Sequence, residues 1–226
     1  MGDKNILIMD QLIFKFPFSK RYYEEDFFIS NNNFSAYKLI ESWPTWPGKW
    51  LNIFGETGSG KTHLAKILQK KIDKIKLIEA KNVNDEILQD LNNFDCLIID
   101  SFNNNIDEKL FYSILNHSKQ LENYILINSN PSIKDFSFNL TDLKSRVNSF
   151  VYIGIELPND DLLKVIISKI LSDKQISANP KILDFIINNV DRSYEKMIKF
   201  LKDVDEMSLS TGKSININLI KKVLDQ

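Results

Sequence analysis

The sequence predicts an α/β protein: a parallel sheet covered by helices on both faces, then a small all-helical domain. Three observations carry this expectation. Short apolar runs alternate with helical periodicity between residues 50 and 155. A glycine-rich loop, Gly55-Glu56-Thr57-Gly58-Ser59-Gly60-Lys61-Thr62, sits between the first such run and the first such helix. After Leu157-Pro158 the strand signals stop and only helical spacing continues.

The elements follow in order. Ser35 to Trp43 has the spacing of a short helix, stopped by Pro44 and Pro47. Trp50 to Phe54 reads as a strand. Lys61 to Ile72 places apolar residues at 64, 65, 67, 68 and 72, which is helical spacing. Strands are expected at 75–80, 96–99, 124–127 and 150–155, and helices at 83–91, 110–121 and 140–147. Strands alternating with helices imply a parallel sheet buried on both faces. Four further helices are expected at about 159–172, 180–189, 193–210 and 216–224, a unit of roughly 70 residues. The expected division is an arm over 1–20, a core over 21–157 and a helical domain over 158–226.

Composition narrows the class. The 226 residues are 43% hydrophobic and 26% charged, an ordinary balance for a globular chain. The net charge of −1 gives no bulk basic footprint, which leaves room only for a local basic patch, and direct sequence-specific DNA binding is not expected. Cys96 is the only cysteine, which excludes an internal disulfide and suits a reducing compartment. Its apolar neighbours mark it as a core residue. No signal-peptide pattern is present, and no apolar stretch reaches the roughly 18 residues that span a bilayer. The expectation is a cytoplasmic protein with no membrane partner.

The glycine loop matches the phosphate-binding pattern G-x-x-x-x-G-K-[ST]. Glycines let backbone N–H groups turn inward on phosphate, and the following helix adds its positive end. Lys61 would reach the β and γ phosphates as a point charge. The Thr62 hydroxyl can ligate Mg²⁺. Asp100 ends the apolar run 96–99, where an acid can hold the Mg²⁺ shell. The next residue is Ser101, a poor base where many P-loop ATPases carry a second acid. Intrinsic hydrolysis is therefore expected to be weak. Asn128-Ser129-Asn130 follows the strand at 124–127, at the end that faces a ligand in such sheets.

These residues resemble a known family. Gly60-Lys61-Thr62-His63-Leu64 resembles the P-loop of the bacterial replication initiator DnaA and its relatives. Trp43-Pro44-Thr45-Trp46-Pro47, and the final helices with Ser208-Leu209 and Ile215-Asn216-Ile217, resemble the Hda-type regulators within that group. Leu143-Lys144-Ser145-Arg146 is similar to the family's box VII, and Asp191-Arg192-Ser193-Tyr194-Glu195 to its sensor 2 region. The resemblance runs from about residue 10 to the end. It implies a P-loop AAA+ core with a helical lid domain, binding ADP or ATP with Mg²⁺. The sequence shows neither a helix-turn-helix segment after the lid pattern nor a long N-terminal domain, both of which DnaA has. The Hda-type regulators are therefore the nearer match.

The resemblance also implies roles. Arg146 would be an arginine finger offered in trans to nucleotide on DnaA. Arg192 would reach bound nucleotide from the lid; a cation at a helix start is disfavoured by the helix dipole, and a phosphate contact would offset that. Asn128 or Asn130 would serve as sensor 1, His63 would accompany the loop, and Phe28 and Ile29 would contact adenine. Gln11-Leu12-Ile13-Phe14-Lys15-Phe16 resembles a peptide that binds the DNA polymerase III sliding clamp: apolar anchors for a pocket, with the Gln amide fixing register. The function implied is regulation of replication initiation by stimulating hydrolysis of DnaA-bound ATP, with room for self-association. Two other readings share the fold: an autonomous AAA+ ATPase resembling a helicase loader, and a non-catalytic binding scaffold.

Overall fold

Five strands form one wholly parallel sheet in this computed structural model, which describes residues 27–173, 179–192 and 194–225. The strands are β1 (Trp50–Phe54), β2 (Ile75–Glu79), β3 (Cys96–Phe102), β4 (Tyr124–Ser129) and β5 (Val151–Gly154). Their order across the sheet is β2-β3-β4-β1-β5. The helices around them are α1 (Phe34–Glu41), α2 (Lys61–Lys71), α3 (Glu86–Asp90), α4 (Glu108–Gln120) and α5 (Thr141–Val147). The chain continues with α6 (Asp160–Asp173), α7 (Pro180–Asn189), α8 (Tyr194–Thr211) and α9 (Ile217–Leu224).

The continuous apolar runs follow from burial on both faces. In β3, Cys96 and Ile98 pack under α1 and α2, while Leu97 and Ile99 pack under α3, α4 and α5. β4 splits likewise, with Leu126 to the first side and Ile125 and Ile127 to the second. Alternating side chains of a strand reach opposite faces, so each central strand feeds two cores. Cys96 is fully buried and burial pushes its thiol well up, as expected of a core residue. Helices α6 to α9 enclose a third core built on Leu163, Ile167, Ile186, Phe200, Val204 and Ile220.

Helix ends follow local chemistry. Asp107 caps α4 by accepting from Leu110 N at 2.7 Å, and Asn216 caps α9 through Leu219 N at 3.0 Å. Asn179 caps α7, with Pro180 opening it. Gly212 follows α8 at φ 64, the left-handed turn that ends many helices. Among the described residues no helix is long and apolar enough to cross a membrane.

The structure departs from the sequence reading most clearly in two places, besides β4 running on from Ile127 to Ser129. The stretch expected as a helix over 83–91 forms only α3 between two short 3-10 turns, at 80–82 and 91–93. β3 does not stop at Ile99 but continues to Phe102. Its register slips between Ile99, opposite Ile127, and Phe102, opposite Ser129. Ser101 takes up the extra residue in a left-handed conformation, φ 57, with its side chain exposed. Phe102 then returns to the core, its ring 4.9 Å from Phe111 and 5.8 Å from Phe136. That anchor extends the strand.

A polar residue inside β1 fixes the carboxyl edge of the sheet. Fully buried Asn52 donates to Ile127 O and Ser129 Oγ, each at 2.9 Å. Its Oδ1 accepts from Ile133 N at 3.1 Å and Ser132 Oγ at 3.3 Å. Replacing it with Leu would strand a buried amide N–H and a hydroxyl. Asn52→Leu should cost about 2 kcal/mol or more of folding stability. Urea denaturation should show it as a lower midpoint at unchanged slope; a midpoint like the parent's would contradict the assigned bonds.

Candidate nucleotide site

The glycine loop leaves β1 at the carboxyl edge and enters α2 through backbone shapes that only glycine adopts easily. Gly60 has φ 100, and a Cβ there would come 2.9 Å from the Phe27 ring. Gly55 has φ 155, and a Cβ would meet Ile155 O at 2.8 Å. Ser59 N closes the turn on Glu56 O at 3.1 Å, and Ser59 is buried beneath it. α2 begins at Lys61 with no acidic residue in its first turn, so its positive end is not cancelled locally.

Three elements converge behind this loop. Lys61 Nζ, from α2, donates to Gly55 O at 2.7 Å and Glu56 O at 2.8 Å. Thr62 Oγ1 donates to Asp100 Oδ2 at 2.8 Å, joining α2 to β3. Asn128 Nδ2, from β4, donates to Asp100 Oδ1 at 2.9 Å and to Lys61 O at 3.0 Å. Asp100 and Asn128 are buried, and Asn128 Oδ1 has no hydrogen-bond partner among the described residues. Burial lowers the Lys61 ammonium to about 8, while Asp100 and then Glu56 pull the other way.

The donor set suits a hard cation. Among the described residues no cluster of three or more His, Cys, Asp or Glu could hold a metal by itself. The Thr62 hydroxyl and Asp100 carboxylate offer two oxygens side by side. Mg²⁺ commonly takes one or two protein oxygens and completes its shell from phosphate and water.

The remaining predicted residues fall in different surroundings. Asn130 is exposed, whereas Asn128 is in the bonded group. Phe28 and Ile29 are 38% and 49% exposed, and Lys169 of α6 lies over the Phe28 ring at 5.7 Å. It is Phe27 that packs on the loop, edge-on to His63 with ring centroids 5.3 Å apart and stacked on Tyr37 at 5.8 Å. Arg192 is exposed and pairs with Asp160 at the start of α6, 3.1 Å apart. Lys196 of α8 bonds Asp191, which raises its ammonium, and Glu56 of the loop adds to that pull. Sequence reasoning singled out neither Phe27 nor Lys196. Gln11, Leu12, Ile13, Phe14 and Phe16 lie outside the described residues.

Arg146 lies elsewhere. It is half-buried on α5, and its Nε donates to Asn116 Oδ1 of α4 at 2.8 Å. It shares a cavity of about 320 Å³ with Lys49, Trp50 and Asn123, residues that start or precede β1 and β4. The glycine loop leaves the far end of β1. Arg146 therefore sits at the amino edge of the sheet and the glycine loop at the carboxyl edge.

Comparison with known proteins places this geometry. An RNA helicase family model matches residues 51–141, which hold the loop, β3 and β4. The chromosomal replication initiator DnaA of Borreliella burgdorferi is 28% identical over 250 residues, covering 94% of this chain and 49% of that protein. The chain thus spans about half the length of the curated relatives it matches. Domain III of the Thermotoga maritima initiator DnaA superposes with TM-score 0.73 at 19% identity, covering 93% of this chain and 98% of that one. A DnaA bound to AMPPCP and single-stranded DNA superposes at 0.65 and 19%, covering 81% and 64%. The chain is thus similar in sequence to the DnaA initiators and has the AAA+ P-loop fold of their domain III.

Proposed function

We propose that this chain binds ADP or ATP with Mg²⁺ in the Gly55–Thr62 loop and regulates replication initiation by acting on DnaA. The observation that carries the reading is the bonded group of Lys61, Thr62, Asp100 and Asn128 behind a loop only glycine can build. The DnaA structure bound to AMPPCP supports an adenine nucleotide as the ligand.

Each residue then has a task. Backbone N–H groups of 55–60 cradle phosphate, and Lys61 supplies a compact charge. Thr62 and Asp100 hold the Mg²⁺, which when bound neutralises phosphate charge. Asn128, tied to Asp100, senses the terminal phosphate. Arg192 exchanges an exposed ion pair with Asp160, which is worth little, for contact with nucleotide. Phe28 and Ile29 contribute to the adenine side, with Phe27 bracing the loop. Ser101 offers no carboxylate at the position of a water-orienting acid, so turnover on the chain's own nucleotide is slow.

Arg146 acts in trans. A guanidinium placed against a transferring phosphoryl group is worth ~10³ or more in rate. Its site at the opposite edge from the chain's own loop supports a target on another molecule. The segment Gln11 to Phe16 docks on the DNA polymerase III sliding clamp and brings Arg146 to DnaA–ATP, in the cytoplasm. A second reading, an autonomous ATPase or loader, is favoured by the helicase match over 51–141 and opposed by Ser101.

Mixing the chain with ATP-loaded DnaA and DNA-loaded clamp should speed phosphate release. Arg146→Ala should remove nearly all of that stimulation, ~10³-fold, and leave clamp binding intact. Gln11→Ala should weaken clamp binding first. An Arg146→Ala protein as stimulatory as its parent would exclude the trans role.

Nucleotide binding should also take up a proton. The Lys61 pKa lies near 8, and an adjacent polyphosphate raises it, because an opposite charge favours the ammonium. The bound form therefore holds more protons wherever pH lies between the two values. Uptake should be about half a proton at pH 8 and close to none at pH 6, and affinity should fall as pH rises above 8. Calorimetry at pH 8 in buffers of different ionisation enthalpy measures it; identical heats would rule it out.

A further inference from the structure

Arg146 is flanked by a second cavity of about 540 Å³, lined by Asn116, Lys119, Gln120 and Arg146 with no carboxylate among them. Lys119 also lines the first cavity, whose one carboxylate, Glu122, is paired by Lys49 at 3.0 Å and where the buried Ser118 hydroxyl has no hydrogen-bond partner among the described residues. Asn116 and Lys119 are three residues apart on α4, so they share one face of that helix. The bond from Arg146 Nε to Asn116 Oδ1 occupies the nitrogen nearest the stem. The two terminal nitrogens of Arg146 make no hydrogen bond or ion pair among the described residues, and neither does the Lys119 ammonium. Two cations with no carboxylate partner among the described residues thus share the walls of two cavities, and one of them, Arg146, is held by a neutral amide.

We infer that Asn116 and Lys119 complete a polyphosphate-recognition surface around Arg146, its ligand the nucleoside triphosphate held by a neighbouring P-loop protein. The inference rests on the trans-acting reading of Arg146 and names the residues that make it work. Asn116 is a positioning residue. It takes one donor of the guanidinium and leaves the terminal pair as a fork for phosphate oxygens, which removes rotamer freedom before the partner arrives. As a neutral acceptor it does this without cancelling the charge. Lys119 is exposed and flexible, a point charge that attracts the partner's phosphates without fixing their geometry. The two residues should therefore act on different kinetic quantities.

The test is stimulated ATP hydrolysis by an ATP-loaded DnaA-type partner, measured against partner concentration. Asn116→Ala should lower the maximal rate about tenfold with half-saturation unchanged, and Asn116→Gln, which returns an amide oxygen, should recover part of it. Lys119→Ala should raise the half-saturating concentration about fivefold at unchanged maximal rate and flatten its salt dependence, and Lys119→Arg should restore both. If Arg146→Ala abolishes stimulation while Asn116→Ala and Lys119→Ala match the parent, the inference is wrong and the trans role stands. If Arg146→Ala itself stimulates normally, the trans role fails and takes the inference with it.

Discussion

The structure around the glycine loop depends on one buried carboxylate. Asp100 has little contact with water, and an ionised group in that position is costly unless it is hydrogen-bonded. Thr62 and Asn128 supply those bonds, at 2.8 and 2.9 Å. They come from a helix and a neighbouring strand, so satisfying one charge fixes α2, β3 and β4 relative to each other. Asn128 extends the tie to Lys61 O, at the first turn of α2. Lys61 then turns back on the loop carbonyls. The loop is held from behind by this chain of bonds and in front by Phe27.

The sheet puts different chemistry at its two edges. The carboxyl edge holds the glycine loop, Asp100 and Asn128. The amino edge holds Arg146, Asn116 and Lys119. Under the proposed function, one end of the molecule keeps a nucleotide and the other end works on a neighbour's. That is a heterologous, head-to-tail relation between molecules. α4 and α5 must be rigid for it to succeed. Glu108 at the start of α4 accepts from Asn139 N and Leu140 N at 2.9 Å, just before α5 begins, and these bonds hold its carboxyl below the usual range. The two helices that carry the amino-edge residues are thereby locked together.

Much of this was readable in the residues. Buried parallel strands have to be apolar on both faces, so the runs at 50–54, 96–99 and 124–127 announced the sheet. The glycine spacing announced the loop because few other residues accept its backbone. What stayed hidden was decided by tertiary contact. The run of β3 ends in Asp100-Ser101, and only the packing of Phe102 on Phe111 and Phe136 shows that the strand continues through a bulge. Phe27-Phe28-Ile29 is a uniform apolar triplet with no phase, so nothing in it marks Phe27 as the ring that covers Gly60. Asn52 is polar within an apolar run, and its four bonds reach residues 75 to 81 positions away. The Arg146–Asn116 bond joins helices 30 positions apart, which no local pattern encodes.

The central claim is that the Lys61, Thr62 and Asp100 group grips an adenine nucleotide. Equilibrium titration of the purified chain with fluorescent ADP and ATP, with and without Mg²⁺, tests it most directly. Tight saturable binding, strengthened by Mg²⁺ and lost in Lys61→Ala, is the predicted result. No affinity for either nucleotide in a folded chain with Mg²⁺ present, or equal affinity in Lys61→Ala, would contradict it.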